Sequence, residues 1–127
     1  MTAASPLRIT SANLNGIRSA STKGFFDWLQ TDRPDVLCVQ ELKAQAADLT
    51  PAMRAPAGYH GFFHYAEKKG YSGVGIYSRT RPDRVTEGMG HAAFDAEGRY
   101  IRADFGNLSV ISVYIPSGTS SEERQAL

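Results

Sequence analysis

The chain has 127 residues, of which 42% are hydrophobic, and a formal net charge of +1. This size and composition suit one globular domain and exclude disordered, collagen-like and coiled-coil chains. The low net charge means that any contact with nucleic acid must come from local basic clusters. Lys68-Lys69 and the arginines at 79, 81 and 84 are the candidates.

Cys38 is the single cysteine, so the sequence excludes an internal disulfide framework and a cysteine-based zinc site. Residues 1–6 form a small, polar N-terminal tail without the basic and apolar regions of a signal peptide. The longest apolar runs are far shorter than a membrane span. We therefore expect a cytoplasmic protein with no membrane contact.

The first half of the chain predicts two strands with a helix between them. Leu7 to Leu14 alternates loosely, as a strand does, and Asn15-Gly16 ends it. Ser21 or Thr22 is expected to cap a short helix with Phe25, Trp28 and Leu29 on one face. Arg33-Pro34 should stop that helix, since the residue before a proline is disfavoured in the α region. Val36 to Val39 is a continuous apolar run, typical of a strand buried on both faces.

The second half predicts a short helix and four further strands. Thr50-Pro51 is expected to begin the helix. The expected strands are 59–66, 73–78, 99–105 and 108–115, with Gly106-Asn107 as a two-residue turn between the last two. Six strands and two or three helices predict an α/β or α+β domain, which covers residues 7–127 without a linker.

The last residues suggest a helix that is not completed. Ser120 to Glu123 has the Ser-x-x-Glu spacing of a capping box, which predicts a helix start. Only four residues follow, too few to offset the cost of helix nucleation. We therefore expect that the chain is a fragment, poorly soluble and inactive when alone.

Three polar residues follow or end apolar strands, namely Asn13, Glu41 and Tyr114. Ligands in layered sheet proteins bind beyond strand ends, and an amide, a carboxylate and a phenol there suit a hard cation such as Mg²⁺. Each residue also has a structural interpretation: Asn13 as a turn former, Glu41 as a solvated charge and Tyr114 as a core residue. Alone, the three residues leave both interpretations open.

The sequence around these residues resembles that of the exonuclease III / apurinic endonuclease family within the endonuclease/exonuclease/phosphatase superfamily. Five segments carry the resemblance, in the order of that family: ANLNGIR at 12–18, DVLCVQELK at 35–43, GYSGVGIYSR at 70–79, DAEGR at 95–99 and VYIP at 113–116. The Gln-Glu strand end marks the wider superfamily, and the Gly-Tyr-Ser-Gly-Val segment points to its DNA-repair branch.

The resemblance implies roles for individual residues. Glu41 and Asn13 match the metal-binding positions, and Asn13 and Tyr114 match catalytic ones, with Tyr114 at the scissile phosphate. The positions that match DNA contacts are Arg18, Lys43, Gly70, Tyr71, Ser72 and Ser117. Ser117 stands where the family commonly has Asn or Gln, so we expect a weaker phosphate contact there.

The resemblance also implies a fold and an activity. Members form a four-layered α/β sandwich, of which this chain would hold about the first half, one sheet with its helices. The implied activity is that of a Mg²⁺-dependent (Mn²⁺ possible) exonuclease and abasic-site endonuclease on double-stranded DNA with abasic sites or 3′ ends, monomeric when complete. The family's later motifs, which supply the water-activating aspartate, its partner asparagine and an aspartate-histidine pair, do not occur in the 127 residues. The three histidines, His60, His64 and His91, are interpreted as structural or surface residues.

Two alternatives stay open. The first is a catalytically dead DNA-binding fragment. The second is a superfamily phosphatase acting on a small molecule or lipid, which the Gly70 to Gly73 turn disfavours.

Overall fold

Strands and short helices alternate in the computed structural model, which describes residues 7–116. The N-terminal tail and the Ser120 capping box therefore lie outside the described residues. The strands are β1 (Ile9–Asn13), β2 (Val36–Gln40), β3 (His60–His64), β4 (Val74–Ser78), β5 (Arg84–Glu87), β6 (Tyr100–Phe105) and β7 (Leu108–Val113). The helices are α1 (Ile17–Thr22), α2 (Phe25–Asp32), α3 (Pro51–Arg54) and α4 (Ala92–Asp95), with a 3₁₀ turn at Ala46–Asp48.

The strands form two sheets. The first has the order β1-β2-β4-β3 and the second the order β5-β6-β7. Only β1 and β2 run parallel among the described strands, and every other pair is antiparallel. The parallel pair places the carboxyl ends of β1 and β2 at one edge, with Asn13 opposite Gln40.

Strand β2 lies at the centre of the fold, as its apolar run predicts. Leu37 and Val39 point into a core that contains Ile17 of α1 and Leu29 of α2. The alternate side chains of the strand pack on the other face of the sheet, against the second sheet. That inter-sheet core consists of Val36, Cys38, Val74, Ile76, Ile101, Ala103 and Val110. The first sheet is therefore covered on both faces.

The prediction of a single sheet is wrong, because residues 7–116 contain strands of two sheets packed face to face. With α1 and α2 on the outside, they make three successive layers of the sandwich. Strand β5 was not predicted. It is short and has one aliphatic residue, Val85, between exposed charged ends at Arg84 and Glu87, so its apolar signal is weak.

The helical region after β1 differs from the expectation as well. It holds two helices, and neither Ser21 nor Thr22 caps the second, because both lie inside α1. Gly24 is the cap of α2, in the left-handed conformation at φ 92°. The predicted stop is confirmed, since α2 ends at Asp32 and Arg33 is left-handed at φ 53°.

Two other local predictions are confirmed. The Thr50 side chain accepts a hydrogen bond from the Met53 N–H and so caps α3. Gly106-Asn107 joins β6 to β7, with Phe105 paired to Leu108. Within residues 7–116 no helix is long and apolar enough to cross a membrane.

Candidate active site

Glu41 and Asn13 lie side by side at the edge of the first sheet. Each stands where a strand runs out, Asn13 as the last residue of β1 and Glu41 just after β2. Because the two strands are parallel, their carboxyl ends meet. The Asn13 side-chain amide donates a hydrogen bond of 3.0 Å to the Glu41 carboxylate. The predicted convergence of these two residues is present in the structure.

The Glu41 carboxylate has three polar neighbours. Besides Asn13, the Lys43 ammonium lies 3.5 Å from its second oxygen, and the Tyr114 phenol is close enough to lower its pKa. Partial burial disfavours the charge, but the hydrogen bonds from Asn13 and Tyr114 and the charge of Lys43 outweigh it and lower the pKa of Glu41. The site therefore holds an ionised carboxylate.

Tyr114 reaches this carboxylate from the second sheet. It follows β7, and its backbone N–H donates to the Arg99 carbonyl over 2.9 Å, which continues the β6–β7 ladder. Burial raises the pKa of the Tyr114 phenol, and the charge and hydrogen bond of Glu41 raise it further. The phenol therefore stays protonated and can donate a hydrogen bond.

Asn15 belongs to the same cluster, although its sequence context indicated only a turn. Its side-chain oxygen accepts a hydrogen bond of 2.6 Å from the Lys43 ammonium. Its backbone N–H donates to the side-chain oxygen of Asn13 over 3.0 Å. Asn15 thus fixes two of the three polar neighbours of Glu41, Asn13 and Lys43. The Asn-Gly pair at 15–16 was the available signal, but it did not reveal the contact with Lys43.

The backbone around the site is strained in the left-handed region. Residues 7–116 include five non-glycine residues with positive φ, and all but Arg33 lie here. They are Asn15 (φ 48°), Glu41 (53°), Lys43 (50°) and Ser72 (47°). Such conformations persist where surrounding contacts over-determine them, and they cluster at functional sites. The clustering supports a functional role for this edge.

The turn from Gly70 to Gly73 is attached to the same edge. The Lys43 N–H donates to the Ser72 carbonyl over 2.7 Å. Ser72 is only 4% exposed, and its hydroxyl donates to the Gly98 carbonyl over 3.4 Å. In this conformation Ser72 therefore holds the turn and does not offer its hydroxyl to solvent. Gly70 is exposed and Tyr71 partly so.

The remaining DNA-contact candidates are Arg18 and Ser117. The exposed Arg18 side chain donates to the Lys43 carbonyl over 2.9 Å and so lies beside the cluster. Ser117 lies outside the described residues. His91 caps α4 by accepting from the Phe94 N–H, as expected of a structural residue.

The cluster suits a hard metal ion that shares its ligands with water and substrate. Residues 7–116 contain no group of three or more His, Cys, Asp and Glu side chains arranged around a metal position. Mg²⁺ needs no such cage, since one or two carboxylates with water and substrate phosphate suffice. Glu41 supplies an ionised carboxylate. Asn13 turns its amide N–H toward that carboxylate and its oxygen toward Asn15, so here it orients Glu41.

Comparison with known proteins identifies relatives along nearly the whole chain. Exodeoxyribonuclease from Bacillus subtilis is 36% identical over 119 residues, 93% of this chain and 46% of that protein. An AP endonuclease structure from Archaeoglobus fulgidus gives a TM-score of 0.80 at 35% identity, and covers 95% of this chain and 46% of that one. A structure of the 3′ phosphatase NExo from Neisseria, bound to a product DNA hairpin, gives 0.78 at 29% identity, with 95% and 47% coverage.

The chain thus spans less than half the length of each of these three proteins. These relatives confirm the family resemblance that the sequence motifs indicated. The model of the Endonuclease/Exonuclease/phosphatase family matches residues 10–127. The chain belongs to the endonuclease/exonuclease/phosphatase family.

Proposed function

We propose that this chain carries the metal- and phosphate-binding part of a Mg²⁺-dependent DNA-repair nuclease of the exonuclease III and AP endonuclease kind. Its substrate is double-stranded DNA with an abasic site or a 3′ end. The observation that carries the proposal is the Glu41 carboxylate, kept ionised among Asn13, Lys43 and Tyr114.

Glu41 is the residue that would hold Mg²⁺ in this site. When bound, the ion supplies charge stabilisation at a phosphoryl oxygen, which is the chemistry that phosphodiester hydrolysis needs. Asn13 fixes one side of the carboxylate and Lys43 the other, so the ligand is oriented before a metal or DNA arrives. Mn²⁺ fits the same oxygen donors.

Tyr114 is the candidate donor to the substrate phosphate. Its phenol is protonated, and its backbone is held beside Glu41 by the β6–β7 ladder. A donor aimed at developing charge stabilises the transition state more than the ground state. We assign the role of activating the attacking water to no residue in the described part of the chain.

DNA backbone contacts are proposed for Arg18, Lys43, Gly70 and Tyr71, with Ser72 shaping their turn. These residues lie at one edge beside Glu41, where cations and exposed backbone amides can bind phosphate without reading sequence. The three relatives are called an exodeoxyribonuclease, an AP endonuclease and a 3′ phosphatase. All three names describe cleavage of a phosphate ester.

A second candidate function is DNA binding without cleavage. The observation that favours it is that residues 7–116 contain no group of three or more His, Cys, Asp and Glu side chains that could hold a metal ion. Both functions predict binding of DNA, and only the first predicts a nick.

The test is to incubate the complete protein, of which this chain is proposed to be the metal- and phosphate-binding part, with an end-labelled duplex that contains one tetrahydrofuran abasic analogue, with Mg²⁺ or with EDTA. Binding is measured in EDTA by fluorescence anisotropy, and nicking in Mg²⁺ is measured on a denaturing gel. A Mg²⁺-dependent nick 5′ to the analogue supports the nuclease, and binding without a nick supports the second candidate. Failure to bind the duplex would refute both.

Glu41→Gln is the matched control in this experiment. It keeps the shape of the side chain and removes the charge, so a nick that depends on a metal held by Glu41 must weaken in this variant. A nick of unchanged strength would show that Glu41 is not the essential metal ligand.

A further inference from the structure

The segment from Ala96 to Arg99, between α4 and β6, connects the turn at Gly70 to Gly73 with Tyr114. Two consecutive carbonyl groups make the connection. The Gly98 carbonyl accepts the N–H of Gly73 over 3.1 Å and the hydroxyl of Ser72. The next carbonyl, that of Arg99, accepts the N–H of Tyr114 over 2.9 Å. A movement of this segment must therefore move both the turn and Tyr114.

The side chains of the segment make the same connection a second time. The Arg99 guanidinium forms an ion pair with the Glu97 carboxylate. The same carboxylate oxygen accepts a hydrogen bond of 3.4 Å from the Tyr71 phenol. The Arg99 charge also acts on the Tyr114 phenol. Glu97 thus contacts Tyr71 of the DNA-contact turn, and Arg99 contacts Glu97 through its side chain and Tyr114 through its backbone carbonyl.

Arg99 is held too tightly to be a surface charge. Its side chain is 1% exposed, and the guanidinium carbon lies 5.6 Å from the centre of the Phe94 ring. Its Nε has no hydrogen-bond partner in the described part of the chain. A buried, incompletely satisfied arginine is costly for stability alone, and apolar residues of similar volume often stabilise as well or better. Its presence therefore calls for a function other than stability.

We propose that Glu97 and the buried Arg99 form a positioning pair, which sets the Tyr71 turn relative to Tyr114. The proposal rests on the proposed function, in which Tyr71 contacts the DNA backbone and Tyr114 the reacting phosphate. Neither member of the pair touches DNA. Their effect is that a DNA strand held by the turn presents its phosphate at the tyrosine.

The first test is a double-mutant cycle on affinity for the abasic-analogue duplex, measured in EDTA with the 127-residue chain. Tyr71→Phe and Tyr114→Phe each weaken DNA binding. In the unmodified chain, the fold-loss of affinity in the double variant differs from the product of the two single fold-losses by at least about threefold. In a Glu97→Leu/Arg99→Met background, which keeps volume and removes both charges, the two effects multiply. Multiplication in both backgrounds overturns the proposal.

Arg102 and Asp104 supply a matched control. Arg102 and Asp104 lie on β6 and form an ion pair between residues two positions apart, the same spacing as Glu97 and Arg99. In contrast to Arg99, the Arg102 side chain is 43% exposed. In an Arg102→Gln/Asp104→Asn background the departure from multiplication should equal that of the unmodified chain. If it disappears there too, the coupling is a general effect of charge loss and the proposal fails.

A second arm needs no DNA, so it separates this proposal from the proposed function. The chain is labelled with 3-fluorotyrosine, and the Tyr114 fluorine resonance is assigned with Tyr114→Phe. Tyr71→Phe should shift that resonance by more than its linewidth in the unmodified chain and not in the Glu97→Leu/Arg99→Met background. If the double variant does not fold, Glu97→Gln takes its place. An unmoved resonance in the unmodified chain refutes the positioning pair, whereas a shift without DNA binding refutes only the proposed function.

Discussion

The side-chain amide of Asn13 donates to the Glu41 carboxylate over 3.0 Å, although 28 positions separate the two residues in sequence. The parallel pairing of β1 and β2 creates this contact, since it brings both strand ends to one edge. Asn13 leaves one carboxylate oxygen to Lys43, so Glu41 is fixed from both sides. A fixed, ionised carboxylate loses little entropy when it binds a cation, which is the physical basis of preorganisation.

Replacing Glu41 by Gln should abolish Mg²⁺-dependent cleavage by the nuclease while sparing DNA affinity. The amide keeps the hydrogen-bonding shape but loses the charge that a hard cation needs. We expect the cleavage rate to fall by orders of magnitude and the affinity for abasic duplex in EDTA to stay equal or increase. A Glu41→Gln protein that nicks at the normal rate would show that another residue holds the metal.

Tyr114→Phe should slow the chemical step more than it weakens DNA binding, since only the hydroxyl is removed. A single preorganised donor to transition-state charge is worth on the order of 10²–10³ in rate. Single-turnover cleavage and anisotropy separate the two effects. Tyr65→Phe is the control, because Tyr65 packs against Phe63 and away from the Glu41 cluster. Equal rates for Tyr114→Phe and the unmodified protein would return Tyr114 to a packing role.

Gly98→Ala should destabilise the fold far more than Gly106→Ala. Both glycines have φ 59°, so both substitutions meet the same backbone penalty. An added Cβ at Gly98 would lie 2.4 Å from the Ala66 nitrogen, whereas nothing lies within 4 Å at Gly106. We expect a loss of about 1 kcal/mol at Gly106 and about 2 kcal/mol or more beyond that at Gly98. Urea unfolding of the two variants measures the difference, and equal midpoints would contradict the close contact.

Cys38 should react slowly with thiol reagents in the folded protein. Burial raises the pKa of the Cys38 thiol to about 11, because the thiolate is poorly solvated between the sheets. At pH 8 roughly one thiol in a thousand is ionised in the folded state, against about a tenth in the unfolded chain. The raised pKa also means that stability is full below about pH 9 and decreases as the pH rises toward 11. Iodoacetamide labelling with and without urea measures the first effect, and rapid native labelling would contradict it.

The outer face of β7 should cause self-association. Ile111 is 45% exposed, Val113 41% and Ile115 74%, and together with Met89 and Phe94 they line an apolar groove. Contiguous apolar surface of this kind promotes association. Ile111→Lys should therefore lower the apparent mass in sedimentation velocity, while Asn107→Lys at the exposed β6–β7 turn adds the same charge without that effect. If the unmodified protein sediments as a monomer, this expectation is wrong.

The main strands could be predicted from sequence because their signals are local. The run from Val36 to Val39 is apolar at every position, as a strand between two cores must be. Helix α1 was missed because Ile17 is its only buried residue, so it has almost no apolar periodicity. Strand β5 was missed for the same reason. It pairs with β6, and no pattern within four residues can reveal that partner.

The candidate site was predictable where each residue stands at a strand end, as Asn13, Glu41 and Tyr114 do. The contacts that hold these residues in place could not be predicted from the sequence. Asn15 bonds to Lys43 across 28 positions, and the Glu97 carboxylate meets Tyr71 across 26. Such pairs depend on how loops of different elements fold over one another, which single-chain patterns do not encode. The buried position of Ser72 depends on the same loop packing.

The two-residue turn at Gly106-Asn107 has a consequence for the order of folding. Because of this turn, β6 and β7 form a hairpin whose pairing requires closure of only a two-residue loop. In contrast, the pairing of Ile9 in β1 with Val36 in β2 requires closure of the whole α1–α2 crossover. Hairpins of this type form in about 1–10 μs, and pairings with long sequence separation form later because loop closure costs entropy first. The contact between Asn13 and Glu41 depends on the slow pairing. We therefore expect the metal-binding edge to form after the hairpin, late in the folding of the chain.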